Sequence, residues 1–198
     1  MNKFSKVLKG EVKINKEETE LKYDGTYLKV VGYNQSEFVK EDDVVVILPY
    51  LVDEASILMR SEYVATYQYF YKKYNEYKHI TNFLTVISGT VKTGESLKNT
   101  IRRELYEEVG VVLSSLYDFD IEKSMFMTKG NVGRYHVCIL ELRYNDFKVT
   151  TPPTDGTKSE KLSKTLKIGL GDLDELRTHD LITEYMLTKF KLEYIPKK

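Results

Sequence analysis

Three glutamates near the middle of the chain have the spacing of side chains on one side of a helix. Glu104, Glu107 and Glu108 lie at i, i+3 and i+4, and residues three and four apart are neighbours on a helix surface. Clustered carboxylates repel one another unless a cation lies among them, and hard oxygen ligands suit Mg²⁺ or Mn²⁺. Arg103 adjoins the cluster and can brace a carboxylate or contact a phosphate. Taken alone, this spacing is more often that of a solvated helix face.

The segment 95–109 is predicted to form the helix that carries these glutamates. Thr93 or Gly94 is expected to cap its start, and Gly110 stands where a left-handed residue ends a helix. The acidic side is expected to face outward, because an apolar stripe lies roughly opposite it. That stripe has steps of four residues: Leu97, Ile101, Leu105 and Val109.

The glutamates belong to a longer pattern, residues 89–111, which reads GTVKTGESLKNTIRRELYEEVGV. Its fixed positions are Gly89, Glu95, Arg103, Glu104, Leu105, Glu107, Glu108, Gly110 and Val111. The pattern resembles the Nudix box at every defining position.

The resemblance implies hydrolysis of a nucleoside diphosphate linked to another moiety, with Mg²⁺ or Mn²⁺. It also implies an α/β protein of the Nudix fold, an α/β/α sandwich with a mixed sheet. Arg103 would orient the carboxylates, and Glu104 is the usual candidate for activating water. Glu95 would bind the metal through water or brace the helix, and Gly89 would give the loop a close turn. The implied metal site comprises Glu104, Glu107, Glu108, Gly89 and Glu95.

The rest of the chain is predicted to form strands and a closing helix around the box. Residues 1–40 are expected to be a small β-rich extension, with a hairpin at Asp24-Gly25, and residues 41–198 the Nudix domain. The closing helix is predicted over Thr178–Leu192, starting at Thr178, with Leu181, Tyr185 and Leu192 on its buried side. Strands are predicted at Glu20–Tyr23, Thr26–Val31, Val44–Leu48, Ala55–Met59, Phe83–Ile87, His136–Leu142 and Leu166–Leu170.

The layout resembles the ADP-ribose pyrophosphatase branch of the family. That branch uses a loop acid as catalytic base, and Glu160 and Asp155 are the local candidates, with Glu160 preferred. Arg60 is a candidate phosphate contact, with an exposed salt bridge as the alternative. Arg134 lies in a glycine-containing loop and is a candidate anion contact, with a plain hairpin as the alternative. Tyr67, in a tyrosine-dense stretch, is a candidate for stacking on a base; interface packing is the alternative.

Composition excludes several classes of protein. The formal net charge is +0, which argues against a general nucleic-acid footprint. The one cysteine, Cys138, permits no internal disulfide, is expected to be an inert core thiol, and fits a reducing compartment. No signal peptide or membrane span is predicted, so a cytoplasmic protein is expected.

The substrate is left open among several small molecules. ADP-ribose, cleaved to AMP and ribose 5-phosphate, is the first prediction. Dinucleoside polyphosphates, FAD, noncanonical nucleoside triphosphates and capped RNA ends are the alternatives. A Nudix-fold sensor that binds a nucleotide without cleaving it is the alternative outside enzymes. A homodimer is implied only by the resemblance.

Overall fold

The computed structural model describes residues 41–62, 83–126, 133–153, 162–178 and 180–195, and the backbone of the strands within residues 20–40. Contacts divide the chain into two compact units, residues 1–42 with 126–133 and residues 43–125 with 134–198. The predicted domain boundary at residue 40 stays a prediction.

The first unit contains a three-stranded antiparallel sheet. Its strands are β1 (Glu20–Asp24), β2 (Lys29–Tyr33) and β3 (Ser36–Lys40), with β2 in the middle. The antiparallel pairing of β1 with β2 agrees with the predicted hairpin strands, although residues 25–28 lie outside the described residues. β3 was not predicted, because only two of its five residues are apolar.

A parallel pair of strands forms the centre of the main sheet in the second unit. β4 (Val44–Leu51) and β10 (Arg134–Leu142) pair residue by residue along their length. Val45 and Ile47 of β4 pack into one apolar core, whereas Val46 and Leu48 pack into another on the opposite face. This burial on both faces explains the continuous β-branched run and confirms the predicted strand.

The remaining strands extend this sheet or form a small separate ladder. Their bounds are β5 (Ser56–Glu62), β6 (Phe83–Thr85), β7 (Ile87–Thr90), β8 (Val111–Leu113), β9 (Lys123–Phe126), β11 (Phe147–Val149) and β12 (Lys164–Gly169). The main sheet has the order β12-β5-β4-β10-β9, with β6 on β5 and β7 on β4, while β8 pairs with β11.

Strands β4 and β5 separate at one end of the sheet, and residues 83–90 fill the gap. A 3₁₀ turn at Val52–Glu54 joins the two strands, which pair only at Tyr50–Ile57 and Leu51–Ser56. β6 runs antiparallel to β5 and β7 antiparallel to β4, so the chain reverses at Val86. We call residues 83–90 the V-segment. The predicted single strand over Phe83–Ile87 is therefore wrong, because its apolar run gives no signal of the reversal.

Helix α1 (Leu97–Val109) packs on one face of the sheet through the predicted stripe. It starts later than predicted, because Ser96 is the cap: its Oγ accepts a hydrogen bond from Asn99 N at 3.2 Å. Gly110 ends the helix as predicted, with φ +69, and a Cβ there would lie 2.0 Å from the carbonyl oxygen of Thr150.

Helix α2 (Leu181–Tyr194) packs on the opposite face, and Asp180 rather than Thr178 caps it. The predicted burial of Leu181 and Leu192 is wrong, since they are 72% and 63% exposed. The buried side instead carries Thr183, Met186, Leu187 and Phe190. A mixed sheet between two helices is the predicted α/β/α sandwich. No helix in the described part of the chain is long and apolar enough to cross a membrane.

Candidate active site

Glu104 lies against the sheet rather than on the outer surface of α1. It is only 6% exposed, so the predicted outward-facing acidic side is wrong for this residue. Thr100 and Ile101, one turn earlier on the same side of the helix, are also buried, and the helical geometry places Glu104 beneath them. Glu107 and Glu108 lie further out, with side chains 42% and 27% exposed.

The carboxylate of Glu104 occupies space that Gly89 leaves by having no side chain. A Cβ on Gly89 would lie 1.8 Å from Cδ of Glu104 and 1.9 Å from its Oε1. Gly89 belongs to strand β7, so the close turn predicted for it is wrong. Its role in the structure is to allow close approach of a carboxylate to the strand.

Arg103 connects three carboxylates and one strand. Its Nη1 donates to Glu104 Oε1 at 2.5 Å and to Glu107 Oε2 at 2.9 Å. Its Nε and Nη2 donate to the two oxygens of Glu95 at 3.0 and 2.9 Å, which is the bidentate pairing that favours arginine over lysine. Nη2 also donates to the carbonyl oxygen of Thr90 at 3.0 Å. The guanidinium is thus bonded to all three carboxylates, and its predicted role of orienting them for catalysis stays a prediction.

Arg103 lowers the pKa of both Glu95 and Glu104, but the net shifts have opposite signs because burial dominates at Glu104. Hydrogen bonds from Arg103, and then from Thr100, lower the pKa of Glu95 to about 2. Burial raises the pKa of Glu104 to about 7; Arg103 opposes this rise, and the nearby charges of Glu107 and Glu108 add to it. In return, the bond to Glu95 raises the pKa of Arg103. Glu95 therefore braces the arginine as a carboxylate, while Glu104 is poised between its two protonation states near neutrality.

Arg60 of β5 holds the last glutamate of the trio. Its Nη2 lies 2.9 Å from Glu108 Oε2, and its Nη1 donates to the backbone oxygen of Glu108 at 2.6 Å. Arg60 therefore forms the predicted salt bridge, but its side chain is only 11% exposed, so the prediction that this salt bridge is exposed is wrong. A contact between Arg60 and phosphate stays a prediction.

The carboxylate oxygens of the three glutamates are chemically suited to binding a divalent cation. Within the described ranges, no three acidic, histidine or cysteine side chains already converge as a metal site, and the three glutamates are paired with Arg103 and Arg60. Arg103 uses Oε1 of Glu104 and Oε2 of Glu107. Each carboxylate thereby keeps a second oxygen with which it can bind a hard cation.

A cavity of about 460 Å³ opens beside this cluster, within the V-segment. Both arms of the V-segment line it, together with Val44, Glu62, Tyr135 and the start of α2. Gly89 lines the cavity and also contacts Glu104. The cavity and the carboxylates therefore adjoin each other at one glycine, and the volume is in the range of small-molecule sites.

Of the predicted site residues not yet placed, only Arg134 lies in the described part of the chain. Arg134 is exposed at the start of β10, where its backbone N donates to Asp43 Oδ1 at 2.9 Å. Tyr67, Glu160 and Asp155 lie outside the described residues, so their roles stay predictions. Cys138 is buried, as expected of a core thiol.

Sequence reasoning missed two features of this region. His136 was expected to be an ordinary strand residue, but its ring is buried between Ser124 Oγ at 2.7 Å and Asp43 Oδ2 at 3.1 Å. Glu62 and Asp180 were not singled out, although both line the cavity. No local pattern marks these residues, because the chain brings them together only through the pairing of distant strands and the docking of α2.

Comparison with known proteins supports the architecture. The structure is similar to a crystal structure of an ADP compounds hydrolase, with a TM-score of 0.61 over 88% of this chain and 90% of that chain, at 18% sequence identity. No protein-family model and no curated protein sequence matches the chain. At this identity the likeness establishes the fold alone, and it confirms the predicted α/β, Nudix-like fold.

Proposed function

We propose that this protein hydrolyses the diphosphate linkage of a nucleoside diphosphate derivative and requires Mg²⁺ or Mn²⁺. The observation that supports this proposal is the close contact of the Glu104 carboxylate with Gly89, together with the bonds from Arg103 to Glu95, Glu104 and Glu107. Residues that the box pattern spaces along the chain thus meet in one cluster beside a cavity. The similar fold of an ADP compounds hydrolase supports ADP-ribose as the first substrate to test, with AMP and ribose 5-phosphate as products.

Glu104, Glu107 and Glu108 are the proposed ligands of the cation. When bound, it would screen the anionic linkage, polarise a phosphoryl oxygen and lower the pKa of water. Arg103 positions Glu104 and Glu107 through its fixed fork, and Glu95 holds that fork from the other side. This positioning supports hydrolysis because phosphoryl transfer depends mainly on alignment and charge stabilisation.

The residue that takes the proton from water is proposed to be Glu104 or Glu160. Glu104 belongs to the cluster, whereas Glu160 precedes β12 in the sequence and lies outside the described residues. Substituting Glu160 with glutamine separates the two roles. If Glu160 is the base, the variant loses kcat by orders of magnitude and keeps its affinity for Mn²⁺, while an unchanged kcat assigns the proton to Glu104.

The functional test is hydrolysis of ADP-ribose by the purified protein with Mg²⁺ or Mn²⁺, with EDTA as the metal-free arm. Glu107→Gln and Glu108→Gln are expected to lower kcat by orders of magnitude and to weaken Mn²⁺ binding, with little change in the unfolding midpoint. Glu175→Gln, at an exposed position, is the matched control and should leave kcat and Mn²⁺ binding unchanged. Full activity in the double Glu107→Gln, Glu108→Gln variant would contradict the proposal.

A substrate panel then decides between ADP-ribose and the alternatives. FAD, dinucleoside polyphosphates, noncanonical nucleoside triphosphates and capped RNA are compared by kcat/KM, with product analysis. Hydrolysis in water enriched with ¹⁸O shows which phosphorus is attacked. A homodimer stays a prediction, and sedimentation of the full chain tests it.

A further inference from the structure

The cavity beside the carboxylate cluster has a lining that does not suit phosphate. Among the described residues that line it, the only charged ones are Glu62 and Asp180, and none is lysine or arginine. Arg60 is close, but its Nη groups are bonded to Glu108. A phosphate in this cavity would meet two acidic residues, and no lysine or arginine of the described lining could bind it, which is electrostatically unfavourable.

The two acidic residues offer hydrogen-bond acceptors to the cavity. Asp180 Oδ2 already accepts bonds from Thr183 N at 2.9 Å and Thr183 Oγ1 at 2.5 Å, while Oδ1 receives none from the described residues. Glu62 Oε1 lies 4.0 Å from Arg60 Nε, beyond hydrogen-bonding distance. Both residues are partly buried, and a carboxylate that is partly withdrawn from water is stabilised by a ligand that donates hydrogen bonds to it.

The remaining walls combine apolar and aromatic residues with the hydroxyl side chains of Thr85, Ser88 and Thr90. Phe83 and Tyr135 line the cavity with Val44, Val86 and Ile182. Aromatic and aliphatic walls with a few placed polar groups are typical of sites for small organic molecules, and ring faces pack well against sugars and bases. The lining therefore favours the uncharged part of a nucleotide.

We propose that this cavity binds the sugar or base end of the substrate, with Glu62 and Asp180 accepting hydrogen bonds from its hydroxyl or amino groups. This inference rests on the proposed function, because it takes the diphosphate to lie at the box glutamates. Gly89 contacts Glu104 and lines the cavity, so one end of a substrate held at the glutamates reaches the cavity. Glu62 and Asp180 are thus specificity-determining residues.

The test compares Glu62→Gln and Asp180→Asn with the wild-type protein. Asparagine also caps helices well, so α2 is retained in Asp180→Asn. Each variant is expected to raise KM for ADP-ribose, and the dissociation constant of AMP measured calorimetrically in EDTA, by about tenfold or more. Mn²⁺ affinity and kcat are expected to change little. Glu184→Gln, exposed on α2, is the control and should match the wild type.

Analogues distinguish a hydroxyl donor from an amino donor. Binding of AMP is compared with that of 2′-deoxy-AMP, 3′-deoxy-AMP and purine riboside 5′-monophosphate, which lacks the amino group. The analogue without the contacted donor is expected to bind more weakly to the wild type and to be insensitive to Glu62→Gln or Asp180→Asn.

Two results would overturn the inference while leaving the proposed function intact. One is hydrolysis of ADP-ribose by both variants with wild-type KM. The other is competition by inorganic phosphate for the binding of adenosine that Glu62→Gln weakens, because adenosine has no phosphate of its own and would occupy the cavity alone. If the wild type instead hydrolyses no nucleotide of the panel, the proposed function fails, and the calorimetric arm still reports on the cavity.

Discussion

The absence of a side chain at Gly89 makes room for the buried carboxylate of Glu104. The box pattern predicted that both residues matter, but it assigned Gly89 to a turn, whereas the structure has it in β7 under the helix. Their contact depends on how α1 docks on the V-segment, and spacing along the chain carries no information about that docking. The same holds for Arg60 and Glu108, which are 48 positions apart.

Substituting Gly89 with alanine is expected to displace Glu104. The new Cβ would lie 1.8 Å from Glu104 Cδ, so the side chain must move, at a cost in unfolding free energy of about 1–3 kcal/mol. The rate of hydrolysis should fall by at least tenfold, because the Glu104 carboxylate is displaced from its position against residue 89. Chemical denaturation and steady-state kinetics measure the two effects.

Gly171→Ala is the matched control for this substitution. No atom lies within 4 Å of a Cβ built there, so we expect a change within about 0.5 kcal/mol. Shortening the displaced carboxylate in the double variant Gly89→Ala, Glu104→Asp should recover part of the lost stability. Additive losses in the double variant would refute a direct clash between the two side chains.

Among the secondary-structure elements, the two helices show what periodicity does and does not determine. In α1 the apolar steps of four correctly identified Ile101, Leu105 and Val109 as buried, because only one face of that helix is apolar. In α2 apolar residues occur on more than one face, and the predicted face was wrong. The docked face is the one that contains Thr183, whose Oγ1 accepts a hydrogen bond from Val86 N at 3.0 Å.

Removing the Thr183 hydroxyl is expected to weaken the attachment of α2 to the V-segment. Thr183 and Val86 are 0% and 1% exposed, so Thr183→Val leaves a buried N–H without its acceptor, at a cost of about 1–3 kcal/mol. Urea unfolding measures this loss. Thr188→Val, at an exposed position of the same helix, should cost much less, and equal losses at the two positions would contradict the argument.

For the whole molecule, the sequence predicted the layers but not the course of the central strands. The predicted strands and the two helices indicated a mixed sheet with helices packed on it, and the resemblance of the box implied that the sheet lies in an α/β/α sandwich. The V-segment was not foreseen, since its reversal at Val86 lies within an apolar run and depends on the separation of β4 from β5. The cavity was missed for the same reason.

The free energy of unfolding should depend on pH through the titration of Glu104. Its folded pKa of about 7 lies above the ordinary value of 4.5, so the folded state binds the proton more tightly than the unfolded state. In EDTA, stability should therefore fall as the pH rises from about 4.5 through 7, by up to roughly 3 kcal/mol from this group. Glu95, with a pKa lowered to about 2, adds a separate loss as the pH falls below 4.5.

Glu104→Gln provides the comparison, since glutamine does not titrate. The stability difference between the wild type and this variant should change between pH 4.5 and 7 and stay constant above that range. Unfolding midpoints at a series of pH values measure it. A difference independent of pH across this window would show that burial does not perturb Glu104.

The pairing of Glu62 with Phe83 bears on how this scaffold can diversify. Strand β5 ends at Glu62 and β6 begins at Phe83, so residues 63–82 connect two positions that the ladder holds together. Closure entropy grows only slowly with length, and insertions or deletions there would therefore preserve strand registration. Because Glu62 and Phe83 both border the cavity, exchanging this stretch offers evolution, or an engineer, a way to alter ligand preference on an unchanged framework.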